Sequence, residues 1–314
     1  MRLLGPMAAF ALALAGCASS TVESVKRGPG AWGPAQAMSQ RRSYAASAEL
    51  GSRIYVAGGM VGNSGRPLAL FQRFDPRRNR WETLAPLPEP VRAASGAAGG
   101  NHIYVIGGQT RRGVSRRVVT YNVRRQVWSE SPPIPAARFN HGSVVVNRRL
   151  YVVGGADSER ERREVFAFDR ATRHWRRVAD LPRPVQSFGV VAFHGEIWVI
   201  GGRRGERVLR DVWIYDPRGD TWRVGPPLPR PMELLGVAST PSQIHAVSEH
   251  QDRIYDAGRA RWLEGPSLRI PRHALSLSVV AGRLYAIGGC RTPELVDSQA
   301  VETRAVAVTP PTTG

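Results

Sequence analysis

The apolar positions of this chain recur in a fixed pattern. Five short apolar runs each end in a glycine pair, at residues 54–59, 103–108, 150–155, 197–202 and 284–289. A sixth run, 244–249, ends in Ser248-Glu249 instead. Each run is apolar on both sides, as a strand must be when its sheet is packed between two others. Six tryptophans, Trp32, Trp81, Trp128, Trp175, Trp222 and Trp262, each stand 26 residues before the first position of such a pair. Five aromatics followed by Asp or Asn (Phe74, Tyr121, Phe168, Tyr215, Tyr255) lie seven residues before a tryptophan. That short step predicts a tight hairpin, and the Asp-Pro pairs at 75–76 and 216–217 are turn signals. The Pro-Leu-Pro and Pro-Ile-Pro segments after the tryptophans cannot sit inside a sheet, so they mark crossings to the next unit.

A glycine pair, an aromatic and a tryptophan repeated about every 47 residues resemble the kelch repeat. The resemblance runs from Trp32 to the end of the chain. It implies four-stranded blades around a central channel. The fold expected is all-β: a six-bladed kelch-type β-propeller. Trp32 has no strands of its own before it, and no tryptophan follows the last glycine pair. The strand near Trp32 is therefore expected to close the last blade.

The N-terminus changes the picture. Arg2 precedes an apolar stretch from Leu3 to Ala15 that is too short to span a bilayer. It ends in Leu14-Ala15-Gly16-Cys17, which resembles the bacterial lipobox. That resemblance implies a signal peptide over 1–16, palmitate-type acylation of Cys17 and an exported lipoprotein anchored in the cell envelope. Ala18 after the cysteine implies the outer membrane, facing the periplasm, where the cell has one. Residues 17–30 read as anchor and tether, 31–308 as propeller and 309–314 as a disordered tail. With Cys17 acylated, Cys290 has no partner for a disulfide.

The formal net charge is +19, and Lys26 is the only lysine among the 44 basic residues. For an exported protein this excess points to anionic glycans, lipid headgroups or acidic peptides rather than a specific nucleic acid. A monomer without cofactor or metal is expected.

Because blade strands alternate in direction, the connection into each innermost strand and the loop after each glycine pair share one face. In kelch proteins that face often holds the ligand. Arg42, Arg92, Arg138 and Arg272 fall 16, 15, 16 and 16 residues before a first glycine, and Tyr44, Phe139, His141, His273 and Glu233 lie close by. A partial arginine ring would suit carboxylates or phosphates. The same arginines could equally pair with backbone carbonyls and hold blades together. Loop arginines such as Arg111, Arg112, Arg203 and Arg207 would form a basic lip, or merely a solvated rim. Catalytic patterns are scarce: His245 and His250 straddle the degenerate run, and Cys290 reads as a packed residue or free thiol. The function expected is a binding module for a protein partner, or for an acidic glycan or peptide. The alternative, by resemblance to a kelch-type sialic acid mutarotase, is a sugar-acid mutarotase with Glu233 or His141 moving the proton and Arg138 or Arg272 as clamp.

Overall fold

The computed structural model describes residues 30–62, 65–291 and 296–306. Cys17, the expected signal peptide, most of the tether and the expected tail lie outside them. Six four-stranded antiparallel sheets make the blades. Their innermost strands are Ala46–Leu50, Ser95–Gly99, Gly142–Val146, Gly189–Phe193, Gly236–Ser239 and Ser276–Val280, in blades 1 to 6. Each next strand is the apolar run of the sequence pattern, buried as its two-sided apolarity requires. The innermost strands pack side by side, and that of blade 6 returns to that of blade 1. Blade 6 takes its outermost strand, Gly33–Ala35, from the N-terminal side, with Gly33 opposite Thr303 and Ala35 opposite Val301. This is the closure expected from the position of Trp32, ahead of the first full set of blade strands.

Three circles of hydrogen bonds join the blades. The outer circle uses the tryptophans. Each indole N–H donates to a main-chain carbonyl just beyond the preceding blade: Trp81 to Gln36, Trp128 to Ala85, Trp175 to Pro132, Trp222 to Ala179, Trp262 to Pro226 and Trp32 to Pro266, all at 2.8–2.9 Å. A buried indole needs such an acceptor. The fixed spacing places one there every time.

The middle circle uses the glycine pair. The second glycine N–H donates to the connection entering the next blade: Gly59 to Val91, Gly108 to Arg138, Gly155 to Val185, Gly202 to Met232 and Gly289 to Arg42, at 2.8–3.0 Å. At Gly107-Gly108 the reason for glycine is plain. Both have positive φ, and a Cβ would come within 2.6 Å of Arg138 O and 2.7 Å of Arg92 O. In degenerate blade 5, Glu249 makes the equivalent bond to Arg272 at 2.8 Å and takes the left-handed conformation without being glycine, φ 54°.

The inner circle surrounds the channel. Tyr44, Ala93, Asn140, Ser187, Leu234 and Ala274 each have a φ between 48° and 57°. Each donates its N–H to the corresponding residue of the previous blade: Ala93 to Tyr44, Asn140 to Ala93, Ser187 to Asn140, Leu234 to Ser187, Ala274 to Leu234 and Tyr44 to Ala274, at 2.7–3.2 Å. The circle is complete. A left-handed conformation costs a non-glycine residue roughly 1–2 kcal/mol, so these bonds must hold it in place.

Between blades the core is aromatic and aliphatic. Phe71 of blade 1 meets Tyr121 and Trp128 of blade 2 with ring centroids 4.9 Å apart, and Phe74 meets Tyr285 of blade 6 at 5.5 Å.

The circles predict opposite outcomes for two substitutions. Glu249→Gly relieves left-handed strain and is expected to stabilise the fold by about 1 kcal/mol. Ala93→Pro removes a donor and demands negative φ, so it is expected to cost about 3 kcal/mol or more. Denaturant unfolding of both variants checks this; a neutral Ala93→Pro would mean that the inner circle is dispensable.

Candidate functional site

The inward connections and the hairpins after the glycine pairs build one face, which we call the hairpin face. The tight turns build the opposite one, the turn face. On the hairpin face the channel mouth contains two hollows. One, of about 140 Å³, is lined by the six residues of the inner circle and the residues that follow them. The other, of about 210 Å³, lies over blades 1 and 2 between Tyr44, Met60, Arg92, Ala93, Gln109 and Asn140.

The expected arginine ring is not there, and one residue of register explains why. The position sixteen residues before each first glycine slot carries Arg42, Val91, Arg138, Val185, Met232 and Arg272, all buried, the three arginines at 1%, 0% and 0% exposure. Arg42 donates to Gly58 O, Leu70 O and the Gln72 amide oxygen. Arg138 donates to Gly154 O and Glu164 O and lies over the Phe166 ring. Arg272 donates to Gly288 O and Ala286 O and pairs with buried Glu302 at 2.5 Å. These three pin their own blades and offer nothing to a ligand. Burial pushes Arg42 and Arg138 down to about 10, which still leaves them charged at neutral pH.

The residue one step later faces the other way, because successive side chains of an extended segment alternate. That position carries Ser43, Arg92, Phe139, Gln186, Glu233 and His273. Arg92, spaced at fifteen rather than sixteen, is therefore the one member of the expected set at the mouth. It is half-buried, with Nη1 3.3 Å from Met60 Sδ. Glu233 lies 3.8 Å from Arg203, and its Oε2 is buried without a hydrogen bond. Asn140, Gln186 and Glu161 form a chain, with amide donors 3.3 Å and 3.2 Å from their acceptors. Half-buried Phe139 contributes a backbone bridge to Ala156. His273 faces Glu249 at 3.8 Å. The mouth is thus mixed in charge, not uniformly basic.

Tyr44 gathers these groups electrostatically. Burial raises its phenol, Cys290 and Glu233 add to that, and Arg92 and Arg203 oppose it. The phenol therefore stays protonated and can donate. Sequence reasoning missed Gln109 and Asn140. The signal available for them was position: each directly follows a repeat landmark, the glycine pair or the residue beside the arginine slot.

Below the mouth, the channel has a volume of about 400 Å³ and is lined largely by small residues of the innermost strands. His141 lies there, buried, 2.6 Å from Ser95 Oγ. Burial, with Arg138 nearby, holds it well below the usual imidazole range, so it is neutral. His245 is fully buried against Arg304 while His250 is exposed, so the two do not converge. Cys290 is buried, and burial, then Asp297, raises its thiol, which makes it a packed residue and not an activated nucleophile. Nearer the turn face, Glu49 accepts the Val279 N–H at 2.7 Å across the seam between blades 1 and 6. Burial pushes Glu49 up to about 7, against the lowering effect of its hydrogen bonds to Val279 and Ser278.

Fold and mouth together define a closed six-bladed β-propeller with a polar, loop-built mouth. A family model described as the KLHDC2/KLHL20/DRC7 Kelch-repeats domain matches residues 43–258, and the chain belongs to the kelch-repeat family. Segments resemble Kelch-like protein 35 of Mus musculus (39% identical over 66 residues, 21% of this chain) and Kelch-like protein 34 of Homo sapiens (33% over 84 residues, 26% of this chain). A third resembles alpha-scruin of Limulus polyphemus, 43% identical over 58 residues, 18% of this chain. These matches span only 11%, 13% and 6% of those proteins. The structure of YjhT is similar with a TM-score of 0.75 at 15% identity, over 85% of this chain and 96% of that one, a likeness of fold.

Glu49 makes stability depend on pH. Its carboxyl ionises near its ordinary value of 4.5 when unfolded but only near about 7 when folded. Between those values the folded state binds more protons, so stability falls as pH rises through the window. Glu49→Gln keeps the acceptor and cannot ionise. It is expected to stabilise the protein by about 3 kcal/mol at about pH 8 and to change little near about pH 4. Unfolding curves at the two pH values test this; an equal effect at both would remove the carboxyl from the explanation.

Proposed function

We propose that this chain is a lipid-anchored envelope protein whose kelch propeller binds an acidic residue of a partner protein at the channel mouth. The observation that carries the reading is Arg92. Among the described residues it is the mouth arginine from the expected set, and it meets a thioether where a carboxylate would fit. Tyr44, Gln109 and Asn140 stand around the same hollow. An Arg fork, a phenol that donates and two side-chain amides suit one carboxylate. At about 210 Å³ the hollow is smaller than the roughly 300–1,000 Å³ of pockets that enclose a whole small molecule. It fits a side chain presented by a larger partner. Kelch-repeat domains commonly mediate protein binding, which agrees with this choice. The net charge of +19 would speed the encounter with an acidic surface. Anchoring rests on Cys17 and on the lipobox-like residues before it.

A second reading, sugar-acid mutarotation, is favoured by Glu233 beside Arg203. A carboxylate that moves a proton next to a cation that clamps is the minimum such chemistry needs. The clamps first expected, Arg138 and Arg272, are buried, so Arg203 would have to serve.

Titration of acidic peptides and of sugar acids into the propeller separates the readings. An acidic peptide is expected to bind the parent, and Arg92→Ala to weaken binding about tenfold without lowering folding stability. Arg138→Ala is expected to cost about 3 kcal/mol of stability by stranding two buried carbonyls. If no acidic peptide binds, the proposal fails; turnover of a sugar acid that Glu233→Gln abolishes would put the second reading in its place. For the anchor, cells fed an alkynyl fatty acid should label the parent but not Cys17→Ser. Label retained by the variant would exclude that cysteine.

A further inference from the structure

The turn face, opposite the mouth, carries a feature that ligand binding does not use. Strand directions fix which face the chain enters and leaves by. Ala305 stands opposite Arg283, beside the tight turn at Gly282, and Val306 N–H donates to Gly282 O. Gly33–Ala35 runs antiparallel to Val301–Ala305, so Trp32 and the residues before it approach from that same side. The described chain therefore begins and ends at the turn face. Twelve residues lie between Cys17 and Gly30. Even fully extended they span no more than about 45 Å.

The chemistry of the turns makes this face basic. In the outer turns the acid or amide after each aromatic folds back on the main chain: Asp75 accepts the N–H of Arg77 at 3.0 Å, Asn122 that of Arg124 at 3.0 Å and Asp169 that of Ala171 at 2.9 Å. The acidic side chains are thereby drawn into the turns, while the arginines beside them point to solvent. Arg77, Arg124, Arg125, Arg148, Arg170 and Arg173 are all exposed and lie on three consecutive blades. No acid among turn residues 75–80, 122–126, 147–149 and 169–174 is exposed. Val127, 52% exposed, follows Arg124 and Arg125 at the same edge. On the hairpin face of blades 3 and 4 the arginines alternate with acids, as in Arg203–Glu233 and the Arg162–Asp157 pair, while the blade 2 hairpin adds exposed Arg111, Arg112 and Arg116.

We propose that the turn face of blades 1 to 3 is a docking surface for a bilayer bearing anionic headgroups. The arginines meet lipid phosphates, and Val127 enters the headgroup layer. The occupant is a membrane because the chain reaches this face through a short N-terminal segment that carries the lipobox-like cysteine. The rule for lipid anchors also asks for a second signal, since a single acyl chain holds only marginally and a basic patch supplies the rest. The mouth then faces away from the membrane, toward soluble partners. The choice of a membrane rests on the anchoring reading and not on what fills the mouth, and the test uses no acyl chains, so its outcome is separate from that of Cys17 labelling.

The chain from Gly30 onward contains every strand of the closed ring and serves for the test. It is sedimented with phosphatidylcholine vesicles with and without phosphatidylglycerol, at low and high salt. Binding is expected only to the anionic vesicles and is expected to be lost at high salt. Arg77→Glu, Arg124→Glu, Arg125→Glu and Arg173→Glu together are expected to weaken it by about a hundredfold or more, each basic residue near an anionic surface being worth about fivefold. The same four positions changed to Gln give a smaller loss in the same direction. An equal charge change on the other face, Arg111→Glu, Arg112→Glu, Arg160→Glu and Arg207→Glu, is expected to leave binding within about threefold of the parent, beyond the roughly 8 Å reach of screened charge. Absence of binding to anionic vesicles overturns the proposal. So does equal loss in the two sets of Glu variants, which would make the attraction one of total charge, and so does binding to soluble heparin that displaces the vesicles while ignoring the turn-face changes.

Discussion

A propeller survives only if its first and last blades meet, and here that demand is met by main-chain hydrogen bonds that run in complete circles. The inner circle is the tightest statement of it. Each of six residues holds a left-handed conformation, donates to the blade before it and accepts from the blade after it. Breaking one bond frees two neighbours, so local strain and ring closure support each other. The tryptophan and glycine-pair circles repeat the logic at larger radius. The inner circle also shapes the chemistry of the mouth. It consumes the main-chain donors at the rim, so recognition there must come from side chains, and those side chains differ from blade to blade.

Blade 5 shows what the constraint needs and what it does not. It lacks the glycine pair, yet Glu249 keeps the hydrogen bond and a left-handed backbone, at φ 54° against 91–98° for the second glycines of the other blades. The shortened connection brings polar groups inside instead. Asp252 pairs with Arg304 of blade 6 at 2.8 Å, and the same guanidinium reaches His245 and lies over the Trp32 ring. Burial pushes Asp252 up to about 6 and His245 down to about 3, and these buried polar groups add to the apolar cluster that joins blades 5 and 6. Buried ion pairs of this kind are costly to break and weak as net stabilisers. They fix which surfaces meet.

Arginine does three different things in this protein. Arg42, Arg138 and Arg272 are internal pins. Arg92 stands at the mouth. Arg124, Arg125 and Arg173 are held outward on tight turns. A net charge of +19 does not separate these roles; burial and face do. The mouth mixes both signs of charge around its hollows, whereas in the turns of blades 1 to 3 the acids are drawn in and the cations stand outside.

Spacing alone carried the architecture. The 26-residue step from tryptophan to glycine, the seven-residue hairpin and the early position of Trp32 determined six blades, their strand order and the closing strand, because a repeat in which neighbours must dock tolerates no change in those lengths. The degenerate sixth copy was legible for the same reason. The site was legible only as a face. Arg42 and Arg92 differ by one residue in spacing, and in an extended segment one residue turns a side chain from solvent to core. Whether Arg138 meets a ligand or Gly154 O, whether Asn140 and Gln109 converge with Tyr44, and on which face the described residues begin and end all depend on contacts between residues far apart in the chain. Such contacts exist only once the ring has closed, and tertiary packing alone decided them.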